Sequence, residues 1–325
     1  MTPPPPKGRA GLAARGRVDV LLSAAAFAAG VPASKLLLAG IPPLALSAAC
    51  YLAAGGFALL LLALSRRRAA AAPLRGVGSD PGAPPTSGRL LDRDWPWLAG
   101  AVLCGGVLAP IALFAGLTRI SGHAAGLLLN FEVVFTVTLG MALHGERLGR
   151  RGWLGASAVW AGALVVSWPG AEPAPPRADH WTGPLLILAS CALWGLDNNL
   201  TLRVSLRDAR QIVAAKGLVG GALTGALAAA LGQLGTWTPM RAGGAAALGV
   251  FCFGLPIALF VRALRRIGVL QTGALFAVAP GLAAALSWIA LGEPASLAAI
   301  VALAVMGAGA LLVATDHHAP ARAGR

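Results

Sequence analysis

The sequence predicts an all-α, polytopic membrane protein: ten transmembrane helices arranged as two inverted five-helix repeats. Three observations carry this. Of 325 residues 57% are hydrophobic and only 12% charged, the apolar residues gather into ten long runs, and the second half of the chain echoes the first at a constant spacing. A soluble domain carries about a quarter charged residues, because its core has to be covered by a polar shell. This chain lacks the residues for such a shell, and its mean hydropathy is +0.74. The apolar excess extends over nearly the whole length, which also excludes a soluble domain on a single anchor.

In chain order the runs fall at 18–39, 42–64, 95–117, 122–143, 152–168, 184–202, 210–232, 243–264, 269–291 and 295–315. A helix needs about 20 apolar residues to cross a bilayer. Barrel strands would be about 10 residues of alternating polarity, whereas these runs are apolar all round, and only a helix satisfies its own backbone over such a length of lipid. Glycine pairs inside the runs, Gly55-Gly56, Gly105-Gly106 and Gly220-Gly221, let helix axes approach closely. The organisation expected is a cytoplasmic tail over 1–17, a first repeat over 18–168 with a flexible cytoplasmic loop at 65–94, an external linker over 169–183, a second repeat over 184–315 and a tail over 316–325. A basic start followed by an Ala-rich run also describes a secretory signal, but removing the first helix would break the repeat.

The formal charge of +14 invites a nucleic-acid reading. The basic residues, however, sit in small clusters between apolar runs, with no basic face on a polar helix. With a cytoplasmic N-terminus, 21 of the 26 Lys and Arg fall on the inner side, a strong positive-inside bias. Both termini are therefore expected in the cytoplasm, in the inner membrane of a bacterium. Trp95, Trp97, Trp153, Trp168 and Trp181 fall at run ends, the headgroup zone that amphipathic rings prefer. Trp160, Trp194 and Trp288 lie deeper, where packing is the expected role, although Trp194 is also carried as a candidate lining residue.

A shift of 147 positions lays the fourth and fifth runs on the ninth and tenth: Gly126 meets Gly273, Gly145-Glu146 meets Gly292-Glu293, and Gly162 meets Gly309. Leu117/Leu264 and Ile120/Ile267 extend the match. Earlier runs align at 165–166, placing Gly30 on Gly195 and Cys50 on Lys216. Five helices per half is an odd number, so the second copy enters the membrane in the opposite sense, as in many secondary transporters.

The stretch Leu127–Trp168, LLLNFEVVFTVTLGMALHGERLGRRGWLGASAVWAGALVVSW, and its second copy from Gly273, GALFAVAPGLAAALSWIALGEPASLAAIVALAVMGAGALLVAT, resemble the drug/metabolite transporter superfamily, EamA type. The two Gly-Glu turns, Pro280 and the run ALWGLDNN at 192–199 carry the resemblance. It implies two inverted five-helix repeats and export or exchange of small metabolites. Glu132-Val133 stands where many members have a proline, and Cys50 where many have a basic residue.

An ionisable group inside the membrane costs about 2.5–3.5 kcal/mol on insertion scales and marks a functional candidate. Two acids lie well inside a run, Glu132 and Asp197. Asp197 and Lys216 each stand about six residues from the inner end of their helices, roughly 9 Å deep at 1.5 Å per residue, so they can pair. One reading has Glu132 holding a proton or a cationic substrate group, with Asp197, Asn198, Asn199 and Lys216 lining a central cavity. The other has Asp197 and Lys216 as an ion pair fastening two helices. Asn130 lies about 200° from Glu132 on an ideal helix, so only one of them would face the cavity. Tyr51, the sole tyrosine, either offers its hydroxyl to the cavity or packs. Lys35 is expected to snorkel, His123 to be interfacial, and Glu146 and Glu293 to stabilise turns, with Glu146 pairing to Arg150.

The four cysteines lie in four different runs without CxxC or a nearby His pair, His317-His318 reads as a solvated tail pair, and no Walker, dinucleotide, HExxH or GxSxG motif occurs. No catalytic group, metal or cofactor is expected, nor a nucleic-acid partner. The expected partners are a small-molecule substrate and membrane lipids, with a homodimer open to it. A lipid flippase of the same architecture is the alternative, followed by an intramembrane enzyme acting on lipid.

Overall fold

The computed structural model describes residues 7–71, 92–144, 149–167, 181–204 and 208–315, and every regular element among them is helical. In these residues seven helical runs are long and apolar enough to cross a membrane: Ala14–Leu38, Pro43–Ser65, Asp92–Leu117, Gly122–Leu143, Thr182–Arg203, Arg210–Ala230 and Pro239–Phe260. Ala279–Leu291 and Leu297–Val313 are apolar but shorter. Length alone therefore yields fewer than the ten spans expected, because several helices are interrupted.

Helix α1 (Lys7–Leu38) begins inside the expected N-terminal tail, and α2 (Pro43–Ala71) runs several residues into the expected 65–94 loop. After a 3-10 turn at Asp92–Asp94, α3 (Trp95–Ala101) passes through a π-helical segment, Val102–Leu108, into α4 (Ala109–Leu117). The same pattern recurs where α10 (Pro239–Leu248) passes through a π segment at Gly249–Gly254 into α11 (Leu255–Phe276). A proline follows each π segment, Pro110 and Pro256. Proline lacks an N–H and its ring crowds the carbonyl four residues back, so the helix widens just ahead of it. The two π segments start 147 residues apart, the spacing of the sequence repeat.

Helices α5 (Gly122–Leu128) and α6 (Phe131–His144) are separated by a turn at Leu129-Asn130, and α11 is separated from α12 (Ala279–Leu291) by Ala277-Val278. Pro280 enforces the second break; the first occurs without a proline. Within α11 the chain also reverses. Phe260 and Phe276 have ring centroids 5.1 Å apart, whereas sixteen residues of straight helix would separate them by about 24 Å. The remaining helices are α7 (Arg150–Ser167), α8 (Thr182–Arg203), α9 (Ala209–Ala230) and α13 (Leu297–Thr315). Asp208 and Thr238 cap α9 and α10 by accepting from the Arg210 and Arg241 N–H groups, and Gly292 ends α12 at φ +63°, a conformation that glycine adopts without a steric penalty.

Packing pairs elements across the two halves of the chain: α2 lies on α9, α7 on α13 and α5 on α12, while α1 lies on α11 and α12, and α8 on α4 and α6. With α5 and α6 taken as one run, and the end of α11 with α12 as another, exchanging the halves maps this list of pairs onto itself. The core centres on Phe114, Leu127, Leu128, Phe131, Ile187 and Met306. Trp160, expected to be buried packing, is 47% exposed and presents its edge to Phe131 at 4.6 Å.

Close axis approach rests on facing glycines. A Cβ on Gly155 would stand 2.5 Å from the Gly309 carbonyl and one on Gly309 2.6 Å from the Gly155 carbonyl; one on Gly55 would stand 2.6 Å from the Leu218 N–H nitrogen. Backbone cannot yield as a side chain can, so Gly155→Ala is expected to push α7 off α13 and to cost about 1–3 kcal/mol, the usual toll of overpacking. A melting temperature in detergent within error of the wild type would refute this.

Candidate functional site

Three consecutive polar residues on α8 point in three directions, each turned about 100° from the last. Asp197, 6% exposed, faces the first π segment and α9. Its Oδ1 accepts from Lys216 Nζ at 2.5 Å and from Thr201 Oγ1 at 3.0 Å, and Lys216 also donates to Thr201 Oγ1 at 2.8 Å. The pair predicted from depth is thus brought together, with a threonine one turn along completing a closed triangle. Gly105 lets the π segment rest on the Asp197 carboxyl, which any Cβ there would strike. The Tyr51 hydroxyl donates to the Gly105 carbonyl at 2.8 Å.

Asn199, also buried, donates to the Thr136 carbonyl at 2.9 Å and back to the Gly195 carbonyl at 2.8 Å, tying α8 to α6. Asn198 reaches the Glu132 carboxyl: its Nδ2 donates to Glu132 Oε1 at 3.2 Å and to Thr136 Oγ1 at 3.1 Å. Among the described residues no cation pairs with Glu132. Asn198 is exposed, yet it shares a helix face with Trp194 four residues earlier. Trp194 packs edge-on against Phe27 of α1 at 6.3 Å, and Phe27 against Phe276 at 5.7 Å. Asn198 thus lies on the face of α8 that Trp194 turns toward Phe27 of α1.

Asn130 does not join this group. The helix stops at Leu128, so the 200° relation to Glu132 has no meaning here; the Asn130 Nδ2 donates to the Leu127 carbonyl at 2.8 Å, and its buried Oδ1 has no partner among the described residues. Lys35 Nζ donates to the Leu117 carbonyl at 3.2 Å and to that of Ile120, holding the end of α4. His123, at the start of α5, is 5% exposed and binds Glu293. Glu146, expected to pair with Arg150, lies outside the described residues. Sequence reasoning missed Thr136 and Thr201, although each stands four residues after a singled-out acid and so on the same helix face.

Glu293 accepts from the Gly122 N–H at 2.6 Å through Oε1, and through Oε2 from the His123 N–H and Nδ1, both at 2.8 Å. Burial acts to raise its pKa, but the hydrogen bonds from the His123 ring and the two N–H groups outweigh it and hold the carboxyl below its ordinary 4.5. A carboxyl with a depressed folded pKa stabilises the fold above its unfolded value, and that contribution is lost as pH falls through the folded one. In Glu293→Gln the melting temperature is expected to drop at pH 7, by the ~1.5–3 kcal/mol of a hydrogen bond to a charged group. The two proteins should converge below 4.5; parallel curves would show that the carboxylate charge is not involved.

A partly buried carboxyl that no cation pairs with among the described residues, beside a neutralised pair and aromatic side chains, is an arrangement able to hold a solute inside a helix bundle. The sequence profile of the EamA-like transporter family matches residues 15–168 and again 181–315. The chain belongs to the EamA-like transporter family. It is 27% identical over 300 residues, covering 92% of this chain and 85% of the relative, to an "Uncharacterized transporter" of Methanothermobacter thermautotrophicus. A solved crystal structure, 22% identical, superposes at a TM-score of 0.63 over 94% of this chain and 97% of its own, a likeness of fold. This member of the family is therefore a multi-pass helical membrane protein of transporter type.

Proposed function

We propose that the chain is a secondary-active transporter, an exporter or exchanger, moving a small metabolite across a bacterial plasma membrane by alternating access. In this reading the seven long runs, together with α7, α12 preceded by the returning end of α11, and α13, make ten crossings. They divide into inverted halves over 18–168 and 184–315, joined by an external linker, with both termini in the cytoplasm. Supporting it are the two separate matches to one family profile, the element pairing that survives exchange of the halves, and the positive-inside bias. The function rests on one observation above all: Asp197 is neutralised by Lys216, whereas Glu132 has only the neutral Asn198 amide as a hydrogen-bonding side chain among the described residues. Glu132 then binds a proton or a cationic group of the substrate, Asn198, Trp194 and Tyr51 line the site, and Lys216 with Asp197 borders it. Asn130, at the break between α5 and α6, serves as a hinge residue.

Reconstituted vesicles screened with labelled amino acids, nucleosides and lipids, with and without a proton gradient, test this. Accumulation of one water-soluble class under a gradient is expected. Movement of lipid alone would transfer the chain to the flippases, and hydrolysis of lipid to the intramembrane enzymes.

A further inference from the structure

Two groups of contacts outside this site bridge the halves that the family profile matches separately. At one end of the bundle the turn between α4 and α5 seats Ile120 over Gly183, at the start of α8: a Cβ on Gly183 would strike Ile120 Cγ2 and stand 3.0 Å from Arg119 Cβ. Beside it Glu293, from the second half, clasps the Gly122 and His123 N–H groups and the His123 ring. At the other end the reversal in α11 seats Ile267 over Gly16 of α1, where a Cβ would stand 2.7 Å from Ile267 Cγ2 and 2.9 Å from Arg266 Cβ. There Asp19, from the first half, accepts from Arg266 Nη1 and lies 3.4 Å from Arg262 Nη2.

The two groups are built alike. Arg119-Ile120 and Arg266-Ile267 are 147 residues apart; each tip presents an isoleucine Cγ2 and an arginine Cβ to a glycine of the opposite half's first helix, and a charged clasp from the opposite half secures it. Asp19 and Lys35, which touches Ile120 from the same half, are sixteen residues apart on α1, or about 24 Å. The tips thus sit at opposite ends of the bundle, with Glu132 and Asn198 between them.

We infer that these tips are a matched pair of locks, one at each mouth of the central space, and that each must disengage for the space to open at its own end. This rests on the alternating-access reading: a site between two halves opens only where the halves part, and both locks join the halves. In this conformer both are engaged. The glycines are required because an isoleucine tip enters only where no side chain stands, and the clasps supply the attraction that reseats it.

The test uses full-length protein without its native cysteines, carrying Asn198→Cys as a reporter inside the central space, in vesicles of known sidedness. A membrane-impermeant thiol reagent is applied from either side. Glu293→Gln is expected to raise labelling about fivefold or more, a shift of roughly 1 kcal/mol, only from the side of the α4–α5 turn. Asp19→Asn should do the same only from the other side. Ile120→Ala and Ile267→Ala, which leave both clasps intact, should reproduce the pair of results if locking rather than folding is being read. Unchanged labelling, or equal increases from both sides, would overturn the inference. The readout needs no transported substrate, so one-sided labelling of the reporter protein, alongside a wild-type chain that moves nothing in the vesicle screen, would sink the transport reading while keeping the locks.

Discussion

Glu132→Gln abolishes the pH dependence of transport. Glutamine keeps the shape of the side chain and the hydrogen bond from Asn198, and removes the group able to take up and release a proton or hold a cation. In a membrane interior an uncompensated carboxylate is expensive, so it persists only if a mobile cation or proton compensates it during the cycle. A coupled transporter should lose gradient-driven accumulation by about tenfold or more, equivalent to at least ~1.4 kcal/mol of coupling, and its rate should become flat between about pH 5 and 8. Wild-type pH dependence in the variant would end the role assigned to Glu132. Loss of all binding with normal folding would instead make it a substrate ligand.

The second large effect concerns Lys216. Lys216→Ala leaves Asp197 buried with only Thr201 to satisfy it, and removing one partner of a buried ion pair costs about 3–5 kcal/mol. The expected result is a sharp fall in melting temperature and in the yield of folded protein in detergent. The double variant Lys216→Met, Asp197→Leu discriminates the roles: it should regain most of the stability, because an apolar pair of similar volume often replaces a buried ion pair without loss. Recovered stability with normal transport would assign the pair to helix fastening alone. Recovered stability without transport would assign it to the site.

Most helices were legible because lipid demands long apolar stretches, and the residues that demand selects are visible in any linear sequence. The widened turns were partly legible in Pro110 and Pro256. The break at Leu129-Asn130 was not: neither residue is a helix breaker in lipid, and the interruption follows from how α5 and α6 pack against different neighbours. Depth arithmetic brought Asp197 to Lys216 because both sit at comparable distances from the same membrane face. It had no means of bringing His123 to Glu293, which lie 170 residues apart in the chain, or Lys35 to carbonyls on another helix. Contacts made by backbone groups leave no residue-type signature, and a pair as distant in the chain as Asp19 and Arg266 leaves no spacing to read, which is why the two clasps had to be found in three dimensions.

The scaffold repeats itself, but the charges around Glu132 and Lys216 do not. The 147-residue spacing that superposes the π segments and the helix breaks puts Ala279 opposite Glu132, and the earlier alignment puts Cys50 opposite Lys216. Rotating one half onto the other would carry methyl and thiol groups into the places of a carboxylate and an ammonium. In the proposed transporter the two open forms would be related in shape by that rotation yet unequal in energy, so their resting populations would differ before any gradient is applied. Direction would then be written into the side chains, on a backbone that has none.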